Sequence, residues 1–313
     1  MRIGPVAQAM TLLVIAMALI PLMDAFAKLL STDHAIAPAS VATGRFVVQS
    51  AILFGVFTAL LLTRHRRRPS MRPTVTWVHL TRGALHGTAT LLFFVAITYM
   101  PLADAIAVFF VEPMILLALS ALFLGETVGW PRRIAAVVAF GGAILVIQPS
   151  YELFGAVSLL PLLTAGLFAT YLLFTRKYGT SEHPLTMQLW SGLGGIAVGS
   201  VFIVVGELIG ASDYQLTIPS SQDAIVLLAG VGVVSTVSHL MIVVAFTMAP
   251  ASVLAPFNYL EIVTATLFGH LVFDEFPGAL QRVGIIVIVA TGLFIFYRER
   301  ALELEAHRPA VSP

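Results

Sequence analysis

Long apolar stretches separated by short polar ones run the length of this chain. Ten can be drawn: 9–30, 38–62, 76–98, 101–124, 132–148, 155–175, 186–206, 222–245, 250–272 and 281–297. Most exceed 20 residues, which is the length a helix needs to cross a bilayer at about 1.5 Å per residue. None alternates residue by residue, as the strands of a transmembrane barrel do. The short connections predict that neighbours in sequence are neighbours in space. Met1–Leu30 has the look of a signal peptide, with Arg2 ahead of an apolar run and Ala25-Phe26-Ala27 behind it. Asp24 and Lys28 inside that run argue for a retained span instead.

Polar residues inside the spans refine this picture. Glu112 falls at the midpoint of Pro101–Leu124, and Glu261 at the midpoint of Pro250–Val272. An acid in mid-membrane costs about 2.5–3.5 kcal/mol on insertion scales, so it is read first as functional. The two stretches also match each other. One offset places Pro101 on Pro250, Glu112 on Glu261, Glu126 on Glu275, Gly129 on Gly278 and Arg133 on Arg282. A slightly shorter offset places Pro38 on Pro184. Five spans precede the midpoint and five follow. An odd number per half makes the halves enter the membrane from opposite sides, as in the inverted repeats of secondary transporters. The expected fold is an all-α membrane protein of ten transmembrane helices in two inverted five-helix repeats, 1–150 and 151–300, with a tail at 301–313. The tail is expected to be frayed.

Composition supports the class. Of 313 residues, 58% are hydrophobic and 11% charged, against about 25% charged in soluble domains. The mean hydropathy is +0.96. The absence of cysteine excludes disulfides, thiolate metal sites and cysteine nucleophiles. The distribution of charge sets the orientation. Arg64, Arg66, Arg67, Arg68 and Arg72 crowd the loop after the second span, and cytoplasmic loops hold the excess of Lys and Arg. Placing that loop inside puts both termini inside. It also leaves Arg282 as the one basic residue in an outer loop. Gly206–Ser221 then becomes the longest outer loop, and it is expected to be exposed.

Several local patterns resemble the drug/metabolite transporter superfamily in its ten-helix EamA-type branch. They are Asp24-Ala25-Phe26-Ala27-Lys28 in the first span, Arg45 early in the second, and Ala96 to Pro101 entering the fourth. Leu122-Phe123-Leu124-Gly125-Glu126 leaves the fourth, and Gly141-Gly142-Ala143 lies in the fifth. The second half repeats one junction as Phe273-Asp274-Glu275, with Asp where the first half has Gly. The resemblance covers nearly the whole chain. It implies a transporter of amino acids, S-adenosylmethionine, riboflavin, nucleotide precursors or drugs, and leaves direction open.

The candidate substrate- or proton-binding residues are Glu112, Glu261, Asp24, Arg45, Arg82, His86, Asn258 and His239. Pro113 follows Glu112 and is expected to kink the helix, freeing a carbonyl near the acid. Asn258 shares a helical face with Glu261. Arg82 and His86 share a face of the third span; Arg82 could equally snorkel to the interface. His86 and His239 are candidate proton carriers, against a plain packing role. Asp24 and Lys28 form an i, i+4 pair that Arg45 would extend into an outer network, with Asp104 competing for Arg45. Glu126 and Arg133 are expected to pair at a helix N-terminus in a structural role. Gly192, Gly195 and Gly199 mark close helix packing. Tyr171 and Trp190 are expected to line the cavity or to anchor.

These readings favour a secondary transporter of a small organic metabolite in a bacterial inner membrane, proton-coupled or exchanging. An intramembrane enzyme acting on a lipid is the alternative, but neither HExxH nor GxSxG occurs. A receptor would need a signalling domain. No GxxxxGK[ST] motif is present for ATP-driven transport. No cofactor or metal is expected, since no ligand pair has metal spacing. The expected partners are a small-molecule substrate and the lipid bilayer, without nucleic acid, in a monomer or homodimer.

Overall fold

The computed structural model describes residues 4–62, 69–126, 128–147, 155–179, 181–274 and 279–306. Among the described residues the chain is helical, without strands. The helices are α1 Pro5–Thr32, α2 Pro38–Leu62, α3 Thr76–Tyr99, α4 Leu102–Phe109, α5 Glu112–Leu124, α6 Trp130–Ile147, α7 Leu159–Tyr178, α8 Pro184–Ile209, α9 Gln222–Met248, α10 Ala251–Leu254, α11 Glu261–Phe273 and α12 Ala279–Ala306. Short 3₁₀ turns lie at Gly155–Ser158, Ser212–Tyr214 and Ala255–Leu260. Seven helical stretches among the described residues are long and apolar enough to cross a membrane. The basic run Arg64–Arg68, Glu152, Glu275, Gly278 and the tail from 307 lie outside the described residues.

The helix ends follow from local sequence. Pro5 and Pro184 sit at first-turn positions, where no backbone N–H is needed. Ser221 caps α9, its hydroxyl accepting from the Ala224 N–H. α5 ends on Gly125 in the left-handed region, φ 63°, and α11 on Asp274 with nearly the same φ, 57°. Asp is one of the few side chains that tolerates this conformation, so the Gly-to-Asp difference between the two junctions leaves the cap unchanged. One expectation is corrected here. α12 continues through Glu303 and Glu305 to Ala306, where fraying was expected after Arg300, because Ala301 to Ala306 are nearly all strong helix formers. The loop after α8 is exposed or half-buried, as expected, and it is also tied down. Thr217 N–H donates to Ser40 Oγ, Ser40 Oγ donates to the Gln215 carbonyl, and Tyr99 Oη donates to Asp213.

The most extensive helix packings all cross between residues 4–147 and 155–306: α1 on α9, α3 on α8 and α7, α2 on α8 and α9, α6 on α12. The two halves are thus interleaved. Apolar side chains also cover the outside, with Leu208 81% and Leu62 80% exposed, as a lipid-facing surface requires. Small residues let α3 and α8 approach backbone to backbone. A Cβ added at Gly194 would stand 2.6 Å from Gly83 Cα, and one at Gly87 2.8 Å from Gly195 Cα. Nothing but backbone stands in the way, so nothing can yield. This approach carries His86, between Gly83 and Gly87, against α8. Gly194→Val is therefore expected to abolish or sharply reduce the folded, monodisperse protein recovered in detergent. Gly55→Val, whose added atoms meet nothing within 4 Å, should leave recovery and melting temperature within the range of ordinary surface substitutions. Equal behaviour of the two variants would refute the packing argument.

Candidate functional site

Two helices are interrupted in the middle of the bundle, and each restarts on an acid. Where one helix over 101–124 was expected, α4 stops at Phe109 and α5 begins at Glu112. In the second half, α10 passes into the 3₁₀ turn Ala255–Leu260, and α11 begins at Glu261. Proline is the cause in the first case. Pro113 has no N–H to bond the Phe109 carbonyl, so the break falls on the N-terminal side of Glu112 and opens the backbone ahead of the acid. Pro256 lies within the second interruption. Each carboxylate consequently stands at the first residue of a half-helix, where the helix dipole favours negative charge. The two breaks are joined directly: Asn258 Nδ2 donates to Glu112 Oε2 at 2.8 Å, both side chains being buried.

A third proline contributes. Pro21, inside α1, leaves the Met17 carbonyl without its helical partner, and Thr264 Oγ1 of α11 donates to it at 3.0 Å. This fixes α1 beside Glu261, and Asp24, two turns on from Met17, faces the same space. A cavity of about 60 Å³ lies there. Asp24, Arg45, His86, His239 and Glu261 line it together with Thr90, Thr164 and the rings of Phe93, Phe109 and Phe168. Both Asp24 carboxylate oxygens lack a hydrogen-bond donor among the described residues, and Asp24 and Glu112 both bear electrostatically on Glu261. Small-molecule sites run to about 300–1,000 Å³, so this space holds a few water molecules and must widen to admit a metabolite.

Arg45 and the histidines form one array. Arg45 Nη2 donates to His86 Nε2 at 3.0 Å, and its guanidinium lies over the Phe46 ring at 4.5 Å. Arginine can only donate, so His86 Nε2 accepts, and the ring proton is assigned to Nδ1, which donates to Ser191 Oγ at 2.9 Å. His86 stacks on Tyr171 at 4.6 Å and on His239 at 4.5 Å. His239 Nδ1 donates to the Ser235 carbonyl at 3.0 Å.

The family of the chain is decided by comparison. The EamA-like transporter family matches residues 7–148 and again 155–297. The chain belongs to this family. Among EamA-like relatives, it is 31% identical to the S-adenosylmethionine uptake transporter of Rickettsia conorii over 72% of this chain and 73% of the relative. It is 30% identical to the riboflavin transporter of Vibrio cholerae over 80% of each. A solved crystal structure superposes with a TM-score of 0.70 over 92% of this chain and 96% of the other, at 16% identity, which speaks for the fold alone.

Within this EamA-like chain the other expected site residues separate. Arg82 does not line the cavity. It is buried behind Tyr171, its guanidinium 4.9 Å from that ring, and donates to Thr175 Oγ1 and the Met187 carbonyl. Asn258 acts through Glu112. Lys28 turns from Asp24 and donates to the Met100 carbonyl, lying 5.0 Å from the Phe273 ring. Trp190 is an anchor, donating to the Met71 carbonyl. Glu126 does meet a helix N-terminus, but that of α10. Its Oε1 accepts from Ala251 N–H, its Oε2 from Ser252 N–H, and Arg176 Nε pairs with it at 3.2 Å. Arg133 instead donates to the Val128 carbonyl. Sequence reasoning missed the cavity's aromatic walls, Phe93, Phe109 and Phe168, because phenylalanine inside a span carries no signal that separates cavity from lipid.

The Asn258–Glu112 bond yields a prediction. Asn258→Leu leaves a buried carboxyl without its donor, at a cost of about 1–3 kcal/mol. Glu112→Leu combined with Asn258→Leu removes both partners and should recover part of that loss. Thermal unfolding in nanodiscs measures it, and strictly additive losses would show that the two groups do not depend on each other.

Proposed function

We propose that this EamA-like chain is a secondary transporter that moves a small organic metabolite across a bacterial inner membrane through a ten-helix inverted repeat with both termini in the cytoplasm. The observation that carries the reading is the cavity between two interrupted helices, with carboxylates and a guanidinium facing one space deep in an otherwise apolar bundle. Ionisable groups in such a place are maintained for ligands or ions, and discontinuous helices frame the sites of secondary transporters. The names of the relatives support the same class of cargo.

The substrate class follows from the charges. Asp24 and Glu261 suit an ammonium, sulfonium or other cationic group, Arg45 suits a carboxylate, and Phe93, Phe109 and Phe168 suit a flat or apolar body. A zwitterionic or cationic metabolite fits this set better than a bare anion. Glu112 and Glu261 are the energetic core of the cycle in this reading. Glu261 meets cargo or proton beside Asp24, and Glu112 couples the first break to the second through Asn258. Access alternates by the two halves moving against each other, with Glu126 holding the cytoplasmic end closed while the cavity communicates with the outer half.

Three measurements test this. Purified protein in liposomes should accumulate labelled S-adenosylmethionine, riboflavin or an amino acid unchanged; a chemically converted product would favour the enzyme reading. Glu261→Gln and Glu112→Gln should each lose about tenfold or more of pH-gradient-driven flux while remaining folded, and full gradient-driven flux in the double variant would return both acids to a structural role. For orientation, single cysteines at Arg72 and Ser212 are informative because the chain has none of its own. An impermeant thiol reagent should reach Arg72→Cys from the cytoplasm only and Ser212→Cys from outside only. The reverse pattern would overturn the topology.

A further inference from the structure

The array of Arg45, His86 and His239 is chemically unequal, and the inequality assigns a role that neither the family nor the charge pattern specifies. His86 has both ring nitrogens committed. Nε2 accepts from the Arg45 cation and Nδ1 donates to Ser191. A second proton on His86 would set an N–H against an N–H of the guanidinium at 3.0 Å, and Arg45 has no alternative acceptor on that nitrogen in the array. His239 is different. Its Nδ1 proton is held by the Ser235 carbonyl, which leaves the Nε2 lone pair without a donor among the described residues while the ring lines the cavity.

We propose that His239 Nε2 is the atom of the cavity that takes up and releases a proton during transport, and that His86 is a positioning residue that holds Arg45 and does not itself titrate. This rests on the transporter reading. A proton that enters the cavity forms an Nε2–H bond with the His239 lone pair. The imidazolium charge is balanced by the carboxylates of Asp24 and Glu261 lining the same space. When the proton leaves, the electron pair returns to Nε2 and the ring is neutral again, so no other reactant is consumed. The charged and titratable groups that share the cavity lining with His239 are Asp24 on α1, Arg45 on α2, His86 on α3 and Glu261 on α11; Tyr171 on α7 packs on His86. His239 packs on the His86 ring at a tilt of 30°, while Arg45 is held at the ring edge by its bond to Nε2, so one neutral ring touches both groups and fixes where each stands.

The closing experiment uses the intact protein in nanodiscs, labelled with ¹⁵N at its eight histidines, without any substrate. Nitrogen shifts separate the protonated ring and the two neutral tautomers. His239→Asn assigns the His239 signals: the asparagine amide can still donate to the Ser235 carbonyl in place of Nδ1, but it offers nothing at the Nε2 position. His86→Asn assigns those of His86, keeping the donor to Ser191. The His239 signals should move from the neutral Nδ1–H form to the imidazolium as pH is lowered from about 8 to about 4, a range that extends below that of a free histidine because the ring is buried beside Arg45, whereas those of His86 should stay in the neutral Nδ1–H form throughout. A His239 ring that does not change, or a His86 ring that does, overturns the assignment. Flux supplies a second readout. With S-adenosylmethionine as probe, His239→Asn should reduce accumulation driven by a pH gradient by about tenfold or more, a larger loss than it causes in counterflow exchange. Gradient-driven accumulation that survives the substitution overturns the proposal, and so does equal loss of exchange. Should the wild-type protein move no probe at all, the transport reading fails, while the ¹⁵N titration still decides between the two histidines.

Discussion

A helix interrupted in the middle of a bilayer exposes backbone groups that lipid cannot satisfy, and protein must surround them on every side. That constraint organises this molecule. The breaks before Glu112 and Glu261 lie at the centre because only there do helices from both halves close around them. α1 runs alongside one break, and its proline-freed Met17 carbonyl accepts from the Thr264 hydroxyl. Asn258, from the second break, spans to Glu112 at the first. The interleaving of the halves follows: neither half alone supplies enough cover for its own interruption. The price of a polar centre is thus distributed over the whole fold, and the apolar residues are left to face outward.

Much of this was legible in the residue pattern, and the reasons differ from element to element. The helices followed from hydropathy because the bilayer enforces length. Glu112, Glu261, Asp24 and Arg45 stood out because ionisable residues are rare in spans. What failed was register across space. Asp24 and Lys28 look like a pair at i, i+4, yet Lys28 finds the Met100 carbonyl and a phenylalanine ring, and nothing in the local sequence encodes that distant carbonyl. Arg82 and His86 share a face of α3, but Tyr171 stands between Arg82 and the cavity. Proline at 113 pointed to a disturbance without saying on which side of the acid the chain would open. Glu126 was correctly tied to a helix N-terminus and wrongly to its own neighbour Arg133, because the helix it meets lies more than a hundred residues away.

The cavity lining mixes ionisable side chains with phenylalanine rings, and this mixture matters more than its present size. Phe168 packs on both His86 and His239, and with Phe93 and Phe109 it excludes water, so that the charges beside them interact through a medium of low dielectric constant. The rings of His239, His86 and Tyr171 pack in series toward Arg82, which is satisfied by Thr175 and a backbone carbonyl. The glycine contact of α3 on α8 sets how near Ser191 comes to His86. Arg45 fixes the tautomer of that ring through Nε2, and the glycine contact brings up the hydroxyl that accepts the Nδ1 proton.

The contact at Glu126 has an uneven genetic signature. One side of it is a single side chain and its partner Arg176. The other side is the main chain of residues 251 and 252, which offers its N–H groups whatever side chains are attached. Only proline at those two positions could withdraw them. What constrains Ala251 and Ser252 is therefore their own burial and the Arg132 bond to the Ser252 hydroxyl, not the carboxylate, while any change at Glu126 other than to aspartate removes its anion. Covariation between the acid and the two residues it touches would be nearly silent.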